Sequence, residues 1–141
     1  MRARASTTSD LRITLALILA HAAVVALHSA AHLILNVQAS PSQTIFIVAI
    51  IMSAPVLSYV LLWRKVKTIG ALLLASSMMG SFVFGVYNHF IAISPDHVSH
   101  VAMMSPASWA IVFQVTAVLL ALTEAVGIGV GALMLKRSQA G

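Results

Sequence analysis

Four apolar runs, each long enough to cross a lipid bilayer, leave this chain few ways to fold. They cover residues 11–37, 44–63, 68–93 and 108–135. Each reaches the roughly 20 residues that a membrane-spanning helix needs. In hydrocarbon every backbone N–H and C=O must be satisfied internally, which a helix does within one segment. Composition agrees: hydrophobic residues make up 60% and charged residues 8% of the 141 positions, and mean hydropathy is +1.01. The expected fold is all-α, an integral membrane four-helix bundle running up-down-up-down as one domain over 1–141. Short turns at 38–43, with Pro41, and at 64–67 favour antiparallel neighbours. The loop 94–107, bracketed by Pro95 and Pro106, is the longest connection.

The basic residues set an orientation. Arg2, Arg4, Arg12, Arg64, Lys65, Lys67, Lys136 and Arg137 are all eight of them. With both termini cytoplasmic, all eight fall on the cytoplasmic side, as the positive-inside rule requires. The polar, basic start resembles the n-region of a signal peptide, but the apolar run outlasts an h-region of about 7–15 residues. A retained anchor and a multi-pass protein of the inner (plasma) membrane are therefore expected. The formal charge of +5 reflects topology and is no footprint for nucleic acid.

The first span carries the polar groups that need explaining. Within His21 to Asn36, HAAVVALHSAAHLILN, three histidines and one asparagine interrupt Ala, Val, Leu and Ile. At about 100° per residue, His21, His28 and His32 share one helix face and Asn36 lies slightly round from it. Polar groups in hydrocarbon must find partners. At about 1.5 Å of rise per residue, His28, His32, His89 and Gln114 all approach the outer surface, where Asp96, His97 and His100 lie in the loop.

This grouping predicts a transition-metal site. His28 and His32 stand at i, i+4 and can chelate one ion from one helix face. His89 ends the third span at a matching depth. Ser94 as N-cap and Pro95 at the first helical position suggest a short loop helix, on which His97 and His100 share a face with Met104. The expected ligand set is His28, His32, His89, Asp96, His97 and His100, with Asp96 either a ligand or the acceptor that orients an imidazole. Such donors suit zinc, copper or iron better than magnesium or calcium. Met103 and Met104 are the only methionines placed to serve copper.

Two other features suggest roles. Glu124 is the lone intramembrane carboxylate and shares a mid-bilayer depth with His21, so protonation or pairing with His21 is expected. Small residues recur at i+4: Ser77, Ser81 and Gly85 lead to His89, while Ala117, Ala121, Ala125 and Gly129 line the fourth span. Gly127 and Gly131 form a GxxxG pair. Such rows let helices approach closely, within one chain or in a homo- or hetero-oligomer. They also leave room for a flat ring, so a b-type haem held by His89 with His28 or His32 is the alternative cofactor. A third possibility is an accessory subunit whose polar stripe only fixes packing.

Other chemistries are excluded. The absence of cysteine removes disulfides, thiolate sites and thiol catalysis. No glycine-rich phosphate loop is present, and no intramembrane lysine offers a Schiff base. The HxxxH and HxxH spacings resemble single pieces of the boxes in membrane di-metal oxygenases and desaturases, which carry more such boxes on a larger scaffold.

Overall fold

A computed structural model describes residues 2–139, with side chains from Thr8 onward. Among them four helices are long and apolar enough to cross a membrane. Helix α1 spans Arg2–Ile34. Helix α2 spans Pro41–Trp63 and α3 spans Lys67–Ile91. A single-turn helix α4, Val98–Val101, interrupts the long loop, and α5 spans Ala107–Gln139. The chain is therefore a multi-pass, all-helical membrane protein whose apolar outer faces meet lipid. Arg2 and Arg4, part of the orientation argument, have side chains outside the described residues.

The helix ends differ from expectation in instructive ways. Helix α1 stops at Ile34 rather than residue 37 because Asn36 adopts a left-handed backbone, φ 54°. Asparagine tolerates that conformation better than most residues and ends helices with it. The reversal is closed by the Val37 N–H donating to the His32 carbonyl at 2.9 Å. Asn36 is thus a turn residue off the polar helix face, exposed and paired with Gln38.

Helix α2 starts three residues early. Ser40 and Gln43 form a capping box with Pro41 at the first turn, a pattern legible in SPSQ. Pro55 cannot donate a backbone hydrogen bond. The wide turn Ile47–Ser53 precedes it, and the Ser53 hydroxyl donates to the Val48 carbonyl at 2.7 Å. A π-helical stretch thus precedes the proline, the kind of irregularity found where a helix accommodates one. In the loop, His97 caps α4 in place of Ser94, its Nδ1 accepting from the Ser99 N–H.

Packing runs α1–α5–α3–α2 around the bundle, with α3 against α5 the most extensive contact. The GxxxG pair serves that contact. A Cβ on Gly127 would meet the Met78 side chain at 2.6 Å, and one on Gly131 would meet the Ala75 backbone at 2.7 Å. Gly129 has open space around it and Ala125 is exposed, so the i+4 row of α5 winds out of the bundle. An Arg137–Asp10 ion pair at 2.8 Å joins α5 to α1 at the end carrying both termini. Helix α1 meets α2 along its Ala54–Trp63 part. Toward the opposite end the two stand apart, and a cavity lies between them.

Candidate metal centre

The cluster is assembled by two elements at the end of the bundle away from the termini. His28 and His32 project from α1, one turn apart. His89 arrives from a π-helical turn, Tyr87–Ile91, that ends α3. An inserted residue of this kind re-aims the following side chains and is frequent at functional sites. The Nε2 atoms of His28 and His89 lie 3.2 Å apart, and those of His28 and His32 also 3.2 Å apart. Ligand atoms of all three histidines fall within 4.8 Å of one another. His28 and His89 are buried and His32 is half-buried.

Hydrogen bonds on the far side of each ring fix the tautomers. His32 Nδ1 lies 3.0 Å from the Val37 carbonyl, and His89 Nδ1 lies 3.1 Å from the Asp96 carbonyl. A carbonyl only accepts, so both Nδ1 atoms carry the proton. His28 Nδ1 lies 2.8 Å from Thr116 Oγ1. The hydroxyl has one proton and points it at the Val112 carbonyl, 2.6 Å away. Its oxygen therefore accepts from His28 Nδ1–H. Every Nδ1 is occupied as a donor, which leaves each Nε2 with a free lone pair. At 3.2 Å only one proton or one cation fits between a pair of such nitrogens.

Two of the three nitrogen separations match a metal chelate. With metal–nitrogen bonds of about 2.0–2.1 Å, a 3.2 Å nitrogen separation corresponds to an angle of about 100–106°, near tetrahedral. The outer hydrogen bonds are of the kind that orient ligating imidazoles. Asp96 approaches as well: Oδ1 is 3.3 Å from His32 Nε2, and Oδ2 is 3.5 Å from His89 Nδ1. Asp96 Oδ1 is buried without a hydrogen-bond partner among the described residues. Asp96 itself is held by its N–H donating to Ser94 Oγ at 3.2 Å.

Residues without an obvious polar signal complete the surroundings. Phe113, fully buried, lies against all three imidazoles with ring centroids 4.6–5.3 Å away. It belongs to an apolar cluster with Ala31, Leu35, Val37, Val101 and Ala110 that covers the histidines. Met104 packs on that cluster, and Met103 is exposed. Gln114 anchors α4 by donating to the Val98 carbonyl at 3.1 Å. Gln43 donates to Asn88 Oδ1 at 3.1 Å, joining α2 to α3 beside His89. Thr116 and Phe113 escape sequence reading because a threonine in an apolar helix ordinarily satisfies its hydroxyl on its own backbone, and a phenylalanine there is unremarkable core.

The remaining candidates lie apart. His97 is engaged with Ser99, Nδ1 to Oγ at 2.7 Å, and His100 is exposed; neither belongs to the three-histidine group. Deeper in the bundle, His21 Nε2 lies 3.5 Å from Glu124 Oε1, both residues 2% exposed. Glu124 Oε2 has no hydrogen-bond partner among the described residues. A cavity of about 530 Å³ reaches from His28, His32, His89 and Asp96 down to Glu124. Comparison with protein-family models, with curated proteins and with solved structures finds no match for this chain.

Proposed function

We propose that this protein holds one transition-metal ion on the Nε2 atoms of His28, His32 and His89, near the outer face of the plasma membrane. The observation that carries this reading is the gathering of three histidine ligand atoms within 4.8 Å, each ring locked by a hydrogen bond at Nδ1. Zinc, copper and iron all suit three imidazoles. Three protein nitrogens leave a further position for Asp96 or for a molecule in the cavity, the pattern of metal sites that act on a bound oxygen. Asp96 serves as a fourth ligand through Oδ1 or as the charge that balances the ion. His97 and His100 stay outside the centre.

The spacing of the His28–His89 pair favours a shared ion over haem. Two imidazoles on opposite faces of a porphyrin are separated by two metal–nitrogen bonds, about 4 Å in all. His28 and His89 are nearer, at 3.2 Å, with their rings in edge contact.

Elemental analysis of protein purified without added chelator tests the proposal, together with zinc titration in detergent. One ion per chain is expected. His28→Ala, His32→Ala and His89→Ala should each reduce occupancy to near zero, whereas His97→Ala and His100→Ala should retain it. Equal metal content in wild type and the three single variants would overturn the reading and leave a packing role for the histidine face.

A further inference from the structure

The deep end of the cavity is not explained by an ion at the histidines. His21 and His28 are seven residues apart on α1, so Glu124 lies roughly 10 Å below the cluster by helix rise. Glu124 lines the cavity, is 2% exposed, and leaves Oε2 unsatisfied among the described residues. A buried carboxyl oxygen without a partner costs free energy, and one facing an open space can be satisfied by a ligand. Between it and the histidines the cavity floor is small: Ser81 and Gly85 of α3 and Ala117 and Ala121 of the adjacent α5 line it. Small residues side by side on two packed helices leave space above them.

The way in determines what can enter. Ser29 and Leu33 of α1 and Thr44 and Ile47 of α2 line the side where the two helices stand apart. These four residues belong to the membrane-spanning segments, so the gap gives a route from the bilayer beside the outer end lined by Asn36, Gln38 and Gln43. A charged head group is excluded at this depth by its desolvation cost. A pocket of about 300–1,000 Å³ with apolar walls and a few placed polar groups is typical for small-molecule ligands, and this one is about 530 Å³.

We infer that the cavity binds an uncharged, bilayer-dissolved ring compound bearing a hydroxyl group, a phenol in the simplest case, with the hydroxyl donating to Glu124 Oε2. The ring lies over the small residues Ser81, Gly85, Ala117 and Ala121, and its far edge points toward the three histidines. Glu124 here recognises the ligand; His21 holds the other carboxyl oxygen in place. The inference concerns Glu124 and the cavity walls, and it holds whether or not an ion sits on the histidines.

Native mass spectrometry from detergent micelles reads both questions at once. The full chain is incubated with zinc and with either 4-decylphenol or its methyl ether, which has the same ring and tail but no donor. The expected result is phenol retained at least tenfold better than the ether. Glu124→Gln should reduce that preference to below threefold, and Ala121→Phe, which fills the space, should abolish retention of both. Equal retention of phenol and ether by the wild type would overturn the inference, as would a preference unchanged in Glu124→Gln. The helical circular-dichroism spectrum reports the folded state of each variant, and zinc occupancy is read separately in the same mass spectra. If Ala121→Phe fails to fold, the near-isosteric Glu124→Gln decides alone. Loss of zinc binding with the phenol preference intact would sink the metal proposal and leave this one standing.

Discussion

Thr116→Val is the sharpest probe of the centre because it touches no proposed ligand atom. Valine keeps the shape of threonine and removes one oxygen. That oxygen accepts from His28 Nδ1–H at 2.8 Å inside a buried environment. Two routes give the magnitude. Leaving a buried donor without an acceptor costs about 1–3 kcal/mol. Removing the acceptor that orients a ligating histidine lowers metal affinity by about 10–100-fold, equivalent to about 1.4–2.7 kcal/mol. The two ranges coincide because both describe the same freed proton. Once Nδ1–H loses the hydroxyl, its hold weakens, and the ring gains by moving its proton to Nε2, where it competes with the ion. Zinc affinity measured in detergent against a competing chelator should therefore weaken by about 10–100-fold, while Thr116→Ser, which keeps the acceptor, should stay within threefold of wild type. An affinity for Thr116→Val within twofold of wild type, in protein that keeps its helical spectrum, would refute the tautomer assignment and with it the free Nε2 lone pair of His28.

Other predictions address the frame around the site. Gly131→Ala places a methyl 2.7 Å from the Ala75 backbone and should cost about 1–3 kcal/mol by overpacking, read as a lower melting temperature, whereas Gly129→Ala, into open space, should be neutral. A double-mutant cycle with His21→Ala and Glu124→Gln should give a coupling of about 0.6–2 kcal/mol, the range of interhelical hydrogen bonds in membranes; additive effects would separate the two groups. Reporter fusions near Lys65 and at both termini should report cytoplasm, and one near His97 the opposite side; a cytoplasmic reading at His97 would reverse the compartment assigned to the site.

Helix number, their apolar faces and the fold class were legible because a membrane leaves the backbone no alternative: a run of that length must be helical, whatever its neighbours. The meeting of His28, His32 and His89 was legible for a related reason. Helix rise converts position in sequence into depth, and short turns align those depths between antiparallel neighbours. The Ser40–Gln43 capping box was also present in the sequence, but it lies in the segment assigned to the 38–43 turn, because Ser, Pro and Gln serve turns as readily as helix starts.

Tertiary structure decided what depth cannot. Depth places His97 and His100 beside the other histidines, but His97 is spent on capping α4 and His100 turns outward. Rotation about the bundle axis and loop direction carry no periodic signal. The partners that set the tautomers are a hydroxyl on α5 and the carbonyls of Val37 and Asp96. Carbonyls are common to every residue, so only a folded backbone can say which of them faces a ring. Asn36 shows both levels in one residue: its type permits a left-handed turn, and only the turn brings the Val37 carbonyl back onto His32. The cavity is decided last of all, because it is the space left where α1 and α2 stand apart, and an absence of packing is written in no single segment.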